Sequence, residues 1–204
     1  VYKRQSFIEA SSSISIKEAK RLTYSTRSAL YGPSREGFYW NDHILSDYSA
    51  YLDYKYDSNQ AKELRSSGFG LVNTHRANGI HSVTGILLAL SDTSNENQRV
   101  LSNKSAEFYS FSRNALSNQS YPTSIMGSMA LIRQFFHDLD WYSKNQAKNK
   151  DYAIEAAIEN SPLPKIWNSG SSLNFLRALK ISKELDIPFA VVGSGPVSYT
   201  HLRA

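Results

Sequence analysis

The most regular hydrophobic pattern in the chain lies in the stretch SIMGSMALIRQFFHDLDWYSKNQAK, residues 124–148. Its large apolar residues recur at intervals of four, three, four and three positions: Ile125, Met129, Ile132, Phe136 and Leu139. This spacing predicts a helix with one apolar face, and Thr123 or Ser124 can cap its start. The following stretch DYAIEAAIENS predicts a second helix, which SPLP ends because proline cannot continue it.

Shorter apolar runs bounded by glycine, asparagine and serine predict strands. Two of them are expected to be buried, FGLVN at 69–73 and SVTGILLALSD at 82–92. RVL and AEFYSFS predict further strands. A short helix is predicted between Ser58, as its N-cap, and Gly68, as its end. Residues 31–57 are rich in aromatic and polar side chains and predict an ordered loop, because aromatic rings need surfaces on which to pack.

The last part of the chain predicts a β-α-β unit. The apolar run from Pro164 to Trp167 leads into Asn168, and a helix is expected from about Ser172 to Leu185, with Leu176 and Leu179 on its buried side. A second apolar run, 189–192, leads into Gly193-Ser194-Gly195. Such a unit pairs its strands in parallel, and in parallel α/β folds the loops after the strands carry function. The loops that begin at Asn73, Asn168 and Gly193 are therefore the expected sites of chemistry.

Composition excludes several classes of site and segment. The 204 residues contain no cysteine, so a disulfide framework and a thiolate metal site are both excluded. No run of about 18 apolar residues is present, so no membrane span is expected. The chain is 41% hydrophobic, which is enough to build the core of one domain or of part of a larger one. No secretory signal is visible, and the composition does not fix the compartment in which the protein acts.

The two ends of the sequence differ in character from the rest. VYKRQ at residues 1–5 and PVSYTHLRA at 196–204 resemble translated adapter sequence, so the domain is expected to span residues 6–195. Excluding Lys3, Arg4 and Arg203 lowers the formal net charge from +5 to +2. No cluster of Lys and Arg with interleaved aromatic residues replaces them, so no nucleic-acid partner is expected.

Three collinear stretches carry a resemblance to a known family. AKELRSSGFGLVNTHRANGIHSVTGILLAL, SFSRNALSNQSYPTSIMGSMALIRQFFHDLDWY and LNFLRALKISKELDIPFAVVGSG resemble successive blocks of bacterial amidohydrolase-superfamily proteins of the imidazolonepropionase-like kind. The resemblance covers most of residues 40–195. It implies a partial (β/α)₈ TIM-like barrel of the metal-dependent hydrolase type. It also implies a divalent, zinc-type metal, and a small-molecule substrate in which a non-peptide C–N bond is hydrolysed.

The metal ligands that the family uses are not visible in this sequence. No His-x-His pair occurs between residues 6 and 195. The resemblance places Asn168 and Gly193 where two later strands of the family end in histidines. An amide oxygen is a poor replacement for imidazole at zinc, and glycine offers no side-chain ligand. No metal ligand is therefore predicted, and the candidate pocket residues are His75, Asn168 and Gly193.

The remaining histidines have simpler interpretations. His75 follows a predicted strand, and the alternative to a pocket role is a hydrogen bond to a loop carbonyl. His81 is expected to be a loop residue, and His43 lies beside Asp42 in the aromatic loop. His137 is expected on a solvent-exposed helix flank. No phosphate-binding glycine loop or nucleophile elbow is present, which disfavours a nucleotide-binding domain and gives no support to Ser-His-Asp catalysis.

Two hypotheses therefore remain. In the first, the chain is part of an active amidohydrolase whose metal ligands lie outside these 204 residues. In the second, it is a catalytically degenerate amidohydrolase-like domain with a structural or binding role, and a companion amidohydrolase domain performs the chemistry. Fold alone does not decide between them, because function depends on the site.

Overall fold

A computed structural model describes residues 6–17, 31–77, 79–93, 95–114, 116–145 and 150–193. The adapter-like segments predicted at 1–5 and 196–204 lie outside these ranges. The regular elements, in chain order, are β1 (Phe7–Ser12), a 3₁₀ helix (Ala50–Asp53), α1 (Ser58–Ser66), β2 (Phe69–Thr74), β3 (His81–Thr84), β4 (Ile86–Ala89), α2 (Glu96–Arg99), β5 (Val100–Ser102), β6 (Glu107–Ser110), α3 (Ile125–Lys144), α4 (Tyr152–Glu159), β7 (Lys165–Asn168), α5 (Ser172–Leu185) and β8 (Ala190–Val192).

The described strands form two four-stranded mixed sheets. The first sheet has the order β1-β2-β4-β5, in which β1 and β2 are parallel and the other pairs are antiparallel. The second sheet has the order β3-β6-β7-β8, in which β3 is antiparallel to β6 and the other pairs are parallel. The fold is mixed α/β, as predicted. The described strands do not show the predicted TIM-like barrel, because antiparallel pairs interrupt the parallel order.

The predicted β-α-β unit is confirmed. β7 and β8 pair in parallel, with Ile166 opposite Ala190, and α5 connects them with the predicted bounds. The buried side of α5 was predicted wrongly at Leu176, which is 46% exposed, whereas Leu179 is half-buried. The fully buried residues of this helix are Ala178 and Ile181, so the packed face is rotated away from Leu176.

The stretch SVTGILLALSD does not form the single strand that was predicted. It divides at Gly85 into β3, which pairs with β6, and β4, which pairs with β2. A Cβ atom on Gly85 would lie 2.5 Å from a ring carbon of Phe108 and 2.8 Å from Oδ1 of Asn73. Only glycine permits this close approach where the chain passes from one sheet to the other.

Gly85→Ala is expected to lower the free energy of unfolding by about 2 kcal/mol, because the added methyl group overlaps the Phe108 ring and forces it to move. Urea denaturation measures this change. The matched control is Gly32→Ala, since a Cβ at Gly32 meets no atom within 4 Å. Equal stability of the two variants would show that the close packing at Gly85 is not as described.

Two main hydrophobic clusters lie on these sheets, beside a third one of three buried residues around Phe108. The larger one packs the second sheet against α3, α4 and α5 and includes Trp167, Tyr109 and Phe135. The smaller one includes Val72, Ile86 and neighbouring residues of the first sheet. Ser124 caps α3, as the sequence predicts, by accepting a hydrogen bond from the backbone N–H of Gly127. None of the helices in the described ranges has the length and apolar character needed to cross a membrane.

Candidate functional site

His75 lies immediately after β2, where the sequence predicts the mouth of a strand. β1 runs parallel to β2 with Ser12 opposite Thr74, and the backbone N–H of His75 donates to the carbonyl of Ser12 over 2.8 Å. The imidazole is buried, with 4% of the residue exposed. It stacks on the ring of Phe108 with 3.6 Å between ring centroids.

Both imidazole nitrogens of His75 have partners. Nδ1 lies 3.1 Å from the carbonyl oxygen of Arg76, which can only accept, so Nδ1 carries the proton. Nε2 then accepts a hydrogen bond from the hydroxyl of Ser11 over 2.9 Å. Burial lowers the pKa of His75 to about 4, so the ring is neutral at neutral pH. The observed bond to a loop carbonyl is the alternative that the sequence left open for this histidine.

A second buried histidine lies in the aromatic loop. The side chain of His43 is inaccessible to solvent, and its Nδ1 accepts a hydrogen bond from the backbone N–H of Asn114 over 2.9 Å. Burial, with the charge of Arg113, lowers the pKa of His43 to about 4. This neutral histidine holds the loop against residues 113–114, which shows that the aromatic segment is ordered by polar contacts as well as by ring packing.

The free energy of unfolding is expected to fall as the pH decreases from about 6.5 towards 4. In this range the unfolded chain binds protons at His43 and His75, whereas the folded protein keeps both rings neutral. Stability is therefore fully present above pH 6.5 and is lost by up to about 1.4 kcal/mol per pH unit for each histidine. Urea denaturation of His75→Gln should show a free energy of unfolding that depends less steeply on pH. His137→Gln, at an exposed position, should leave that pH dependence unchanged. An unchanged pH dependence in His75→Gln would contradict the description of His75 as a buried, neutral histidine.

Asn168 and Gly193 lie beside each other at one edge of the second sheet. Asn168 ends β7 opposite Val192, and the backbone N–H of Ser169 donates to the Val192 carbonyl over 2.9 Å. Gly193 has a φ of 149°, and a Cβ there would lie 2.7 Å from Oγ of Ser169. Asn168 is exposed. The described contacts of His75 are to Ser11, Ser12, Arg76 and Phe108, so they do not join His75 to this pair.

The described residues do not fit a metal site of the family type. Within those ranges, no group of three or more His, Cys, Asp or Glu side chains could hold a metal ion. Both nitrogens of His75 are engaged, and Asn168 offers an amide where imidazole is expected. That Asn168 and Gly193 supply no metal ligand stays a prediction.

His81 is not the loop residue that the sequence predicted. It begins β3, is fully buried, and stacks on Tyr109 at 4.4 Å between ring centroids. Its Nε2 lies 3.4 Å from Oε1 of Glu107. Oε2 of Glu107 lies 3.2 Å from Nζ of Lys165 and accepts a hydrogen bond from the Tyr109 hydroxyl over 3.3 Å. These four residues, His81, Glu107, Tyr109 and Lys165, are called the buried ion cluster.

The charges of the buried ion cluster depend on one another. Burial alone would raise the pKa of Glu107, but the neighbouring His81 and Lys165 hold it below its usual value. Burial and the Glu107 charge raise the pKa of Tyr109 well above its ordinary range, so the phenol remains a donor. This cluster was not predicted from the sequence. The available signal was a charged residue inside each of two apolar strands, Glu107 in AEFYSFS and Lys165 in PKIW.

Comparison with known proteins gives one similar structure. No protein-family model and no curated protein sequence matches the chain. An amidohydrolase from Thermotoga maritima MSB8 superposes with a TM-score of 0.63 at 15% sequence identity, over 91% of this chain and 50% of its own. The fold is amidohydrolase-like. The chain spans half the length of that structure. The similarity does not test the imidazolonepropionase-like subfamily, which stays a prediction.

Proposed function

We propose that the chain is part of an amidohydrolase-type hydrolase that cleaves a non-peptide C–N bond in a small molecule. The observation that carries the proposal is the structural similarity to the Thermotoga amidohydrolase, which extends over 91% of this chain. A similarity of this extent supports an amidohydrolase-like fold for the chain. The reaction and the substrate class are proposed in addition, because a fold alone does not determine function.

The proposed substrate position is the edge of the second sheet where parallel strands end. Ligands of open α/β sheets bind outside the carboxyl ends of the strands. β7 and β8 end there at Asn168 and beside Gly193. The exposed Asn168 amide can donate to a substrate carbonyl and accept from a substrate N–H. Gly193 has no side chain, so a ligand can approach its backbone closely.

In the proposed enzyme, His75 holds the ends of two strands in position. Its bond to Ser11 fixes the end of β1 beside the end of β2, and its stacking on Phe108 joins the first sheet to the second. To bind a metal through Nε2, His75 would have to give up the hydrogen bond that Nε2 accepts from the Ser11 hydroxyl. In the proposed enzyme, a divalent metal of the zinc type is therefore held by residues other than His75.

The test is an assay of the protein encoded by the complete reading frame, supplied with zinc. Five- and six-membered cyclic amides, imides and ureas are the substrates, and a linear peptide is the control. We expect hydrolysis of at least one cyclic compound. Asn168→Ala is expected to lower kcat/KM about tenfold, the effect of losing one or two substrate hydrogen bonds. Asn59→Ala, on the exposed surface of α1, is the matched control and should not change it.

A catalytically degenerate domain is the second candidate function. Asn168 and Gly193 at the strand ends favour it, together with the lack of a metal-binding group among the described residues. In that case a companion amidohydrolase domain would carry the activity. The folded protein would then hydrolyse no cyclic compound, or Asn168→Ala would hydrolyse it at an unchanged rate, and either result would contradict the first proposal.

A further inference from the structure

The hydrogen bond between Ser11 and His75 joins a hydroxyl group to a base. The Ser11 hydroxyl donates to Nε2 of His75 over 2.9 Å. Nδ1 of the same ring donates to the carbonyl oxygen of Arg76 over 3.1 Å. A hydroxyl within hydrogen-bond reach of a base, which a third group orients, is the arrangement that activates a nucleophilic serine. The structure therefore brings this arrangement together although the sequence contains no nucleophile elbow.

Ser11 lies in an irregular part of β1. The pairing with β2 shifts by one residue between Glu9 and Ser12, so β1 accommodates one extra residue there. Such a bulge changes the direction of side chains and occurs often beside active sites. Ser11 is half-buried, whereas His75 is buried. A small reagent can therefore reach Ser11, while the ring that bonds to it is shielded from water.

Two further contacts hold the His75 ring in the orientation that a base needs. The ring stacks on Phe108, and the bond to the Arg76 carbonyl keeps the proton on Nδ1. Burial lowers the pKa of His75 to about 4, and the Arg76 carbonyl opposes this shift because it favours the protonated ring. At neutral pH, Nε2 therefore carries no proton and can accept one from Ser11. A base this weak restricts the reaction to acyl groups with a good leaving group.

We propose that Ser11 is a nucleophile activated by His75, and that the protein hydrolyses small activated carboxylic esters at this pair. The steps need only the serine, the imidazole and water. The proposed cleavage of C–N bonds is a separate activity, since its substrate position lies at Asn168 and Gly193. Either proposal can fail without the other.

The proposed reaction has two steps. In the first, Oγ of Ser11 bonds to the ester carbonyl carbon and its proton passes to Nε2 of His75. The bond to the leaving oxygen breaks, and that oxygen takes the proton from Nε2. In the second, water attacks the acyl-serine while Nε2 takes one of its protons, which returns to Oγ as the carboxylic acid leaves. The Arg76 carbonyl accepts from Nδ1 throughout and stabilises the ring while it is positively charged.

Two probes test the proposal on the full chain, in the presence of EDTA to suppress metal-dependent hydrolysis. p-Nitrophenyl acetate measures turnover, and phenylmethylsulfonyl fluoride gives a stable adduct when a serine oxygen displaces its fluoride. We expect release of p-nitrophenolate, and peptide mapping should place the sulfonyl group on Ser11. The rate with the ester should stay constant from about pH 8 to about pH 5, because His75 remains neutral over that range. A reactive lysine amine would instead lose rate as the pH falls.

Variants assign the activity to the pair. Ser11→Ala should abolish both the adduct and the turnover, and His75→Gln should lower the turnover rate about hundredfold, the effect of losing a general base. Ser13→Ala, at an exposed position two residues further along, is the matched control and should change neither. Circular dichroism checks that each variant folds, and the adduct map of the unsubstituted protein decides if one does not. An adduct on another residue, no adduct at all, or unchanged turnover in folded Ser11→Ala would each overturn the proposal.

Discussion

Lys165→Met is expected to lower the free energy of unfolding by about 3 kcal/mol, because it leaves the Glu107 carboxylate buried without its cationic partner. The Lys165 side chain is 12% exposed and that of Glu107 is 2% exposed, so water cannot replace the lost ammonium group. Urea denaturation at neutral pH measures the change. The matched control is Lys144→Met, which removes the exposed pair with Asp140 and should cost less than about 0.5 kcal/mol.

The double variant Lys165→Met with Glu107→Gln tests the cause of that loss. The neutral amide at position 107 can still accept the hydrogen bond from Tyr109, and no unpaired buried charge remains. More than half of the stability lost in the single variant should therefore return. If the effects of the two substitutions simply add, the buried charge is not the source of the loss, and the described geometry of the buried ion cluster is wrong.

Trp167→Ala is expected to lower the free energy of unfolding by about 4 kcal/mol, because it empties the centre of the larger hydrophobic cluster. The ring of Trp167 is fully buried and packs against Tyr109, Phe111 and Phe189. Thermal and urea denaturation measure the loss. Trp141→Ala is the matched control, since Trp141 is 59% exposed, and it should change stability by less than about 0.5 kcal/mol.

Trp167→Phe separates ring packing from hydrogen bonding. Nε1 of Trp167 is buried and has no acceptor among the described residues, so the indole loses a water hydrogen bond on folding without replacement. Phenylalanine removes that unpaired donor while keeping most of the apolar surface. The expected loss is therefore smaller than half of that in Trp167→Ala. A loss as large as that of the alanine variant would point to a hydrogen bond that the structure does not contain.

The elements that depend on local pattern could be predicted from the sequence. The spacing of apolar residues and the Ser124 cap were sufficient for α3, and the bounds of α5 followed from the residues between two apolar runs. The position of His75 at the end of β2 was also predicted, because asparagine and glycine after an apolar run indicate a strand end. In each case the deciding interactions lie within a few residues along the chain.

Features that depend on distant partners could not be predicted in this way. Gly85 divides β3 from β4 because the Phe108 ring occupies the space beside it, and nothing near Gly85 in sequence indicates that contact. The buried ion cluster forms because the strand register places His81 opposite Tyr109 and Glu107 opposite Lys165. Registers of this kind are set by tertiary packing, so His81 was wrongly assigned to a loop.

Zinc anomalous diffraction from crystals of the protein encoded by the complete reading frame tests most directly which residues of the proposed hydrolase hold the metal. The expected result is a zinc site near the carboxyl ends of the parallel strands, held by residues other than His75, Asn168 and Gly193, with Nε2 of His75 still bonded to Ser11. A zinc ion within about 2.1 Å of the His75 imidazole would contradict it. A structure with Asn168 and Gly193 far from any pocket would contradict it as well.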